Sequence, residues 1–322
     1  MVFKKLFALI LIFNLIFLFS CSDSVSNTNE QITAESQFVW EGVPEVDNIT
    51  YKYIDNTALK FDMYFPTVKK FDKSPVVVCF HGGGWNMGDK EQIMNLFEPI
   101  ISKLRANGYT VASVEYRLAT DSTYFPAPIE DCIDSILYLK NNAAQFNINT
   151  DSIGVFGYSA GAHLAMLSAY AMDVFSVSGD TADIKYCVSF AGPTKLYDDD
   201  VNKYSYDILS LLDNLFHGTY AEKPDEYKIG SPYYYVDGIT DKTKKVPLLL
   251  AQDENDAVVP FEQSQVMYDK AKEIGIPCEL LKLHGVGHDI YFDSNYSYMT
   301  SPSSDEAADT VVDFICKYSG KQ

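Results

Sequence analysis

The sequence predicts an α/β protein with a mostly parallel, eight-stranded sheet, helices on both faces and an insertion between strands 6 and 7. Short apolar runs recur at 76–80, 110–114, 152–156, 185–190, 246–251 and 278–283. Helical patterns near 92–106, 128–146, 159–172, 261–274 and 305–318 fall between these runs or follow the last one. Strands that are apolar throughout are buried on both faces, as in a parallel sheet covered by helices. The segments 49–54 and 59–64 instead alternate polar and apolar residues around Asp55-Asn56, so the sheet should begin with a half-exposed antiparallel pair. The stretch 192–245 breaks the rhythm and carries Tyr197, Tyr204, Tyr206, Tyr220, Tyr227, Tyr233, Tyr234 and Tyr235. It should sit above the C-terminal edge of the sheet, where open α/β sheets bind ligands. Tyrosines there either pack the excursion against the body or stack on a sugar or aryl ring.

With 322 residues and 47% hydrophobic content, the chain can bury a large core. Lys plus Arg is 25 against 44 Asp plus Glu, a net charge of −19, which repels phosphate backbones and argues against a nucleic-acid partner. Lys4 and Lys5 precede an apolar run, Leu6 to Phe19, broken only by Asn14, so residues 1–20 read as a signal peptide. Leu18-Phe19-Ser20-Cys21 resembles a bacterial lipobox, which makes Cys21 the expected lipidated N-terminus and a membrane the expected partner. The expected location is the bacterial cell envelope, as an exported lipoprotein of the outer membrane. Residues 21–45, rich in Ser, Asn, Thr and Glu, read as a flexible tether, and 46–322 as the folded domain. Cys79, Cys132, Cys187, Cys278 and Cys316 show no metal-site spacing. Asp198-Asp199-Asp200 reads as a solvated turn rather than a calcium loop. No metal site is expected.

The chemistry centres on Gly157-Tyr158-Ser159-Ala160-Gly161, which follows one strand run and opens a helical one. Flanking glycines allow the sharp strand-to-helix turn that exposes a nucleophilic serine, here Ser159. A hydroxyl needs a base held in the right tautomer, so a histidine and a carboxylate should come from loops after later strands. His288 follows the last strand behind Gly285 and Gly287 and is the expected base. His284 reads as structural, His163 as pointing away from the site, and His217 has no evident partner. The loop after 246–251 offers Asp253, Glu254 and Asp256; Asp256, next to an apolar segment that can anchor it, is favoured over Asp253 as the orienting acid. His81-Gly82-Gly83-Gly84-Trp85 follows the run 76–80, and its glycines let backbone N–H groups approach a developing oxyanion. The expected donors are the amides of Gly83, Gly84 and Ala160, with His81 fixing the loop. Trp85 and Tyr158 are the expected substrate contacts, although packing explains Trp85 equally well.

His81–Trp85, Tyr116-Arg117-Leu118, Pro126 to Asp131, Gly157–Gly161, Asp256 to Pro260 and Gly287-His288 together resemble the HGGG-type carboxylesterases of the α/β-hydrolase superfamily, relatives of hormone-sensitive lipase. The resemblance is closest to small bacterial feruloyl and acetyl esterases and runs from about residue 50 to the end of the chain. It implies the α/β-hydrolase fold and a cofactor-free serine esterase working through an acyl-enzyme. Short acyl or aryl esters, including acetyl and feruloyl groups on plant polysaccharides, are the implied small-molecule or oligosaccharide substrates. Tyr158 departs from the acidic or small residue usual before the serine, which leaves pocket shape open. The rival readings are an amide hydrolase of the arylformamidase or peptidase kind and a non-catalytic glycan binder using the tyrosine-rich stretch.

Overall fold

The computed structural model describes residues 45–239, 245–288 and 300–320. The expected signal peptide, the expected lipidation site Cys21 and nearly all of the expected tether lie outside those residues. Eight strands form one sheet in the order β1-β2-β4-β3-β5-β6-β7-β8: β1 Glu45–Ile54, β2 Thr57–Tyr64, β3 Ser74–Phe80, β4 Thr110–Val114, β5 Ile148–Tyr158, β6 Ile184–Phe190, β7 Leu248–Asp253 and β8 Cys278–Leu283. β2 runs antiparallel to both neighbours, and all other pairings are parallel. The strand order reverses around β3 and β4, which places a crevice beside β3 and β5 at the C-terminal edge.

Side chains of the buried strands alternate between two cores, as a period of two requires. Val76, Val78 and Phe80 of β3 face one core, with helices α2 (Ala127–Asn141) and α4 (Ala160–Tyr170). Val77 and Cys79 face the other, with α1 (Glu91–Ala106) and the C-terminal α10 (Ser304–Tyr318). α10 starts at a capping box in which Ser303 and Glu306 satisfy each other's backbone amides. Two helical stretches that read as continuous are each broken. The first stops at Asn141 and resumes as α3 (Ala143–Phe146), which Asn147 closes in the left-handed conformation. The second stops at Tyr170 and resumes as α5 (Met172–Phe175).

Between β6 and β7 the insertion folds into a 3-10 turn (Asp198–Lys203), α6 (Tyr206–Phe216), α7 (Pro224–Ile229) and α8 (Pro232–Asp237). Tyr197, Tyr204 and Tyr227 are buried within it, so much of its aromatic content is packing. The acidic turn is tied down by lysines, with Asp200 between Lys195 at 2.8 Å and Lys203 at 2.7 Å. α9 (Glu262–Ile274) then leads to β8. Cys79, Cys132, Cys187, Cys278 and Cys316 are free thiols, and only Cys316 is exposed.

Candidate active site

The site begins where β5 turns into α4. Ser159 has φ +52° and ψ −118°, a left-handed conformation that a serine adopts only when its surroundings impose it. Its amide donates to the Phe190 carbonyl at 2.8 Å, which ties the turn to β6. A β-carbon at Gly161 would lie 2.1 Å from the Phe80 carbonyl oxygen, so only glycine lets α4 start this close to the end of β3.

Two later loops bring their side chains to Ser159. His288 Nε2 lies 3.0 Å from Ser159 Oγ, and His288 Nδ1 lies 2.9 Å from Asp256 Oδ2. The carboxylate can only accept, so Nδ1 carries the proton and the bare Nε2 faces the serine hydroxyl. Asp256 is fixed from behind: Oδ1 accepts from the amides of Val258 at 2.8 Å and Val259 at 3.0 Å, and Gln252 Nε2 reaches Oδ2 at 3.3 Å. Gln252 also donates to the Val259 carbonyl at 2.6 Å, which makes the turn rigid. Asp253 has a different task. Its Oδ2 accepts from the amides of Val286 at 2.8 Å and Gly287 at 2.9 Å, holding the loop that carries His288. Burial raises the Asp253 carboxyl, but the amides of Asn255, Gly287 and Val286 outweigh it and keep it below its ordinary range.

The loop after β3 supplies donors. Gly83 has φ +113° and Gly84 φ +56°. The Gly82 amide is spent on Gln92 Oε1 at 2.7 Å, whereas those of Gly83 and Gly84 meet no acceptor among the described residues. Ala160 is the first residue of α4, so its N–H has no partner within the helix. The loop is braced on two sides. His81 stacks on Tyr116 at 4.2 Å, and the Tyr116 hydroxyl donates to the His81 carbonyl at 2.8 Å. Tyr116 is in turn fixed by its neighbour Arg117, which donates to buried Asp131 from its backbone amide at 2.9 Å and from Nε at 2.7 Å. On the other side, Trp85 Nε1 donates to His163 Nδ1 at 3.2 Å, and His163 Nε2 donates to the Gly230 carbonyl at 2.6 Å.

Of these groups, Ser159, His288, Gly83, Gly84, Trp85 and Gln92 border a cavity of about 270 Å³, whose remaining lining includes Pro193, Ile208, Leu211, Val258 and Val259. Much of the lining is therefore aliphatic. Leu211 presses on the donor loop, since a β-carbon at Gly84 would lie 2.8 Å from its Cδ1. A larger open depression of about 710 Å³, around Lys69, Lys70 and Lys73, lies by the starts of β3 and β5, at the opposite end of the sheet, and its lining holds no serine, cysteine or histidine.

The BD-FAE family model matches residues 61–271, about two thirds of the chain. The chain belongs to the BD-FAE family. An arylesterase of Saccharolobus solfataricus is 36% identical over 113 residues, covering 34% of this chain and 34% of the arylesterase. Carboxylesterase NlhH of Mycobacterium tuberculosis is 34% identical over 139 residues, covering 42% of this chain and 41% of NlhH. The chain thus spans less than half the length of either relative. Among solved structures, a truncated carbohydrate esterase from gut microbiota superposes with a TM-score of 0.68 at 22% identity, covering 89% of this chain and 99% of that one. Est2 of Thermogutta terrifontis gives 0.66 at 23% identity, over 83% and 91%. At such identities the likeness is one of fold, and the fold is that of the α/β-hydrolases.

In this BD-FAE member the structure gathers Ser159, Asp256, His288, Gly83, Gly84 and Ala160 at one sheet edge. Trp85 and Tyr158, expected to contact substrate, do line the cavity, but both are buried and committed elsewhere: Trp85 to His163, and the Tyr158 hydroxyl to the His288 carbonyl at 2.8 Å. His163 faces away from Ser159 and serves the donor loop through Trp85. His284 approaches Glu254 at 3.5 Å, and His217 stacks on Tyr124 at 4.6 Å. Sequence reasoning missed Ile208 and Leu211. Their signal was the i, i+3 apolar spacing on α6, which the neighbouring tyrosines obscured.

Proposed function

We propose that this chain is a serine carboxylic-ester hydrolase acting on short acyl or aryl esters, with acetyl or feruloyl groups on plant polysaccharides as its substrate class. The observation that carries this reading is the continuous hydrogen-bonded line from Ser159 Oγ through His288 to Asp256, opening on an aliphatic cavity. Ser159 Oγ attacks the ester carbonyl while His288 Nε2 takes its proton, and Asp256 stabilises the resulting imidazolium. The amides of Gly83, Gly84 and Ala160 hold the oxyanion. As the carbonyl re-forms, the C–O bond to the alcohol breaks and His288 returns the proton to the leaving oxygen. Water repeats the cycle on the acyl-enzyme and releases the acid.

The aliphatic lining suits an uncharged acyl group. The names of the relatives, arylesterase and carboxylesterase, and that of the carbohydrate esterase of like fold, support the same reading. The test uses p-nitrophenyl acetate, its matched anilide, and acetylated and feruloylated oligosaccharides. Wild type should cleave the esters and leave the anilide nearly untouched, and Ser159→Ala should be inactive with an unchanged melting temperature. Preferential anilide cleavage, or turnover surviving in Ser159→Ala, rejects the proposal.

The proposal extends to location: residues 1–20 direct export, Cys21 carries lipid, and 21–45 tether the domain to the bacterial cell envelope. β1 starts at Glu45 opposite Tyr64, which pairs with Val111 near the start of β4. The folded domain is therefore entered at the end of the sheet away from Ser159. Metabolic palmitate labelling should mark wild type and spare Cys21→Ala; equal labelling of both contradicts the anchor.

A further inference from the structure

Among the described residues, few backbone hydrogen bonds hold the loop that carries His288. His284 pairs with Ser301 in an isolated bridge, and the chain then passes through Gly285 at φ +87° and Gly287 at φ +60°. A β-carbon at Gly287 would meet nothing within 4 Å, and Val286 beside it packs only partly buried against the core. Two side chains also hold the backbone here. On the entering side, Asp253 accepts from the amides of Val286 and Gly287. On the leaving side, the Tyr158 hydroxyl donates to the His288 carbonyl at 2.8 Å.

Tyr158 is suited to that task by its position. It is the last residue of β5, paired with Phe190 of β6 in the middle of the sheet, and it directly precedes Ser159. Its ring centroid is 5.5 Å from that of His288 and 5.8 Å from that of Phe97. The same ring bears on the donor loop, because a β-carbon at Gly82 would lie 2.7 Å from Tyr158 Cδ1. One side chain thus touches the segments that carry the base and the oxyanion donors, and its backbone adjoins the nucleophile.

We infer that Tyr158 is a positioning residue, which locks the His288 loop to the strand bearing Ser159, rather than a group that recognises substrate. The inference rests on the ester-hydrolase reading. A loosened imidazole loses its alignment with Ser159 Oγ but leaves the cavity wall intact, so the loss should fall on kcat. Removing one such hydrogen bond corresponds to a fall of about 3- to 10-fold.

The test compares Tyr158→Phe, which keeps the ring, with Tyr158→Leu, which loses it, alongside Asp253→Asn and Ser159→Ala in the full chain on p-nitrophenyl acetate. Tyr158→Phe should show the fall in kcat with KM within about twofold of wild type and an unchanged melting temperature. Tyr158→Leu should lose more. Asp253→Asn should lower kcat in the same way, and the double variant should fall by more than the product of the singles, because each clamp partly compensates for the other. Wild-type kcat in Tyr158→Phe overturns the inference, as does a rise in KM at constant kcat, which would make Tyr158 a substrate contact. Activity retained in Ser159→Ala would instead overturn the ester-hydrolase reading itself.

Discussion

Mild acid should destabilise this protein through two histidines outside its chemistry. His163 is fully buried, and its Nδ1 accepts from the Trp85 indole, so protonating it would set two donors against each other. Burial pushes His163 down to about 4 from 6.5, and burial likewise pushes His81 down to about 4 from 6.5. In the unfolded chain both take up protons near the ordinary histidine value of about 6.5. Between those limits the unfolded state binds more protons than the folded one, so stability falls as pH falls. At pH 5 each histidine costs about 2 kcal/mol, or about 4 kcal/mol for the pair if they act independently. In a protein of this size that corresponds to a melting temperature lower by roughly 10 °C. The carboxylates held below their ordinary range, such as Asp253, lose their contribution only at still lower pH. Differential scanning calorimetry from pH 7.5 to 5 on wild type and His163→Gln measures the effect. Glutamine can accept from Trp85 and donate to Gly230, so the variant should keep the fold and lose about half of the acid sensitivity. A wild-type melting temperature that stays level across this range, or an identical slope in His163→Gln, refutes the reasoning.

Three further substitutions follow from the site. Gly83→Ala would place its β-carbon 2.2 Å from the Met87 carbonyl oxygen at φ +113°, so the donor loop must shift; kcat on p-nitrophenyl acetate should drop about 10²–10³-fold. Asp256→Asn can present an N–H to His288 Nδ1 and drive the proton onto Nε2, and stopped-flow assays should find a loss on the order of 10⁴-fold with the fold intact. Leu211→Ala clears the space above Gly84, so the ratio of kcat/KM for p-nitrophenyl hexanoate over acetate should rise about tenfold. An unchanged ratio would mean that α6 does not limit the acyl group.

The sheet was legible because its central strands are buried on both faces and therefore appear as largely apolar runs, as 110–114 does in β4; 278–283 coincides with β8, although that edge strand is mostly half-exposed. Helix breaks were less legible: Asn142 and Ala171 interrupt patterns that read as continuous, and tertiary packing decides where each helix restarts. The meeting of Ser159, Asp256 and His288 could be anticipated because each stands just beyond a recognisable strand. What Tyr158, Asp253 and His163 do could not, because each acts through a hydrogen bond to backbone or side chain that is distant in sequence. The insertion was legible only in part. The packing reading of its tyrosines holds for Tyr197, Tyr204 and Tyr227, which are buried, but the cavity lining it supplies, Ile208 and Leu211, was not anticipated.

The most direct trial of the central claim is intact-mass and peptide mapping after treatment with a fluorophosphonate at neutral pH. Ser159 should be the single modified residue, at one adduct per chain, and His288→Ala should slow the labelling by orders of magnitude. Modification of another residue, or an unlabelled Ser159 in a preparation that still hydrolyses esters, would contradict a serine nucleophile at this site.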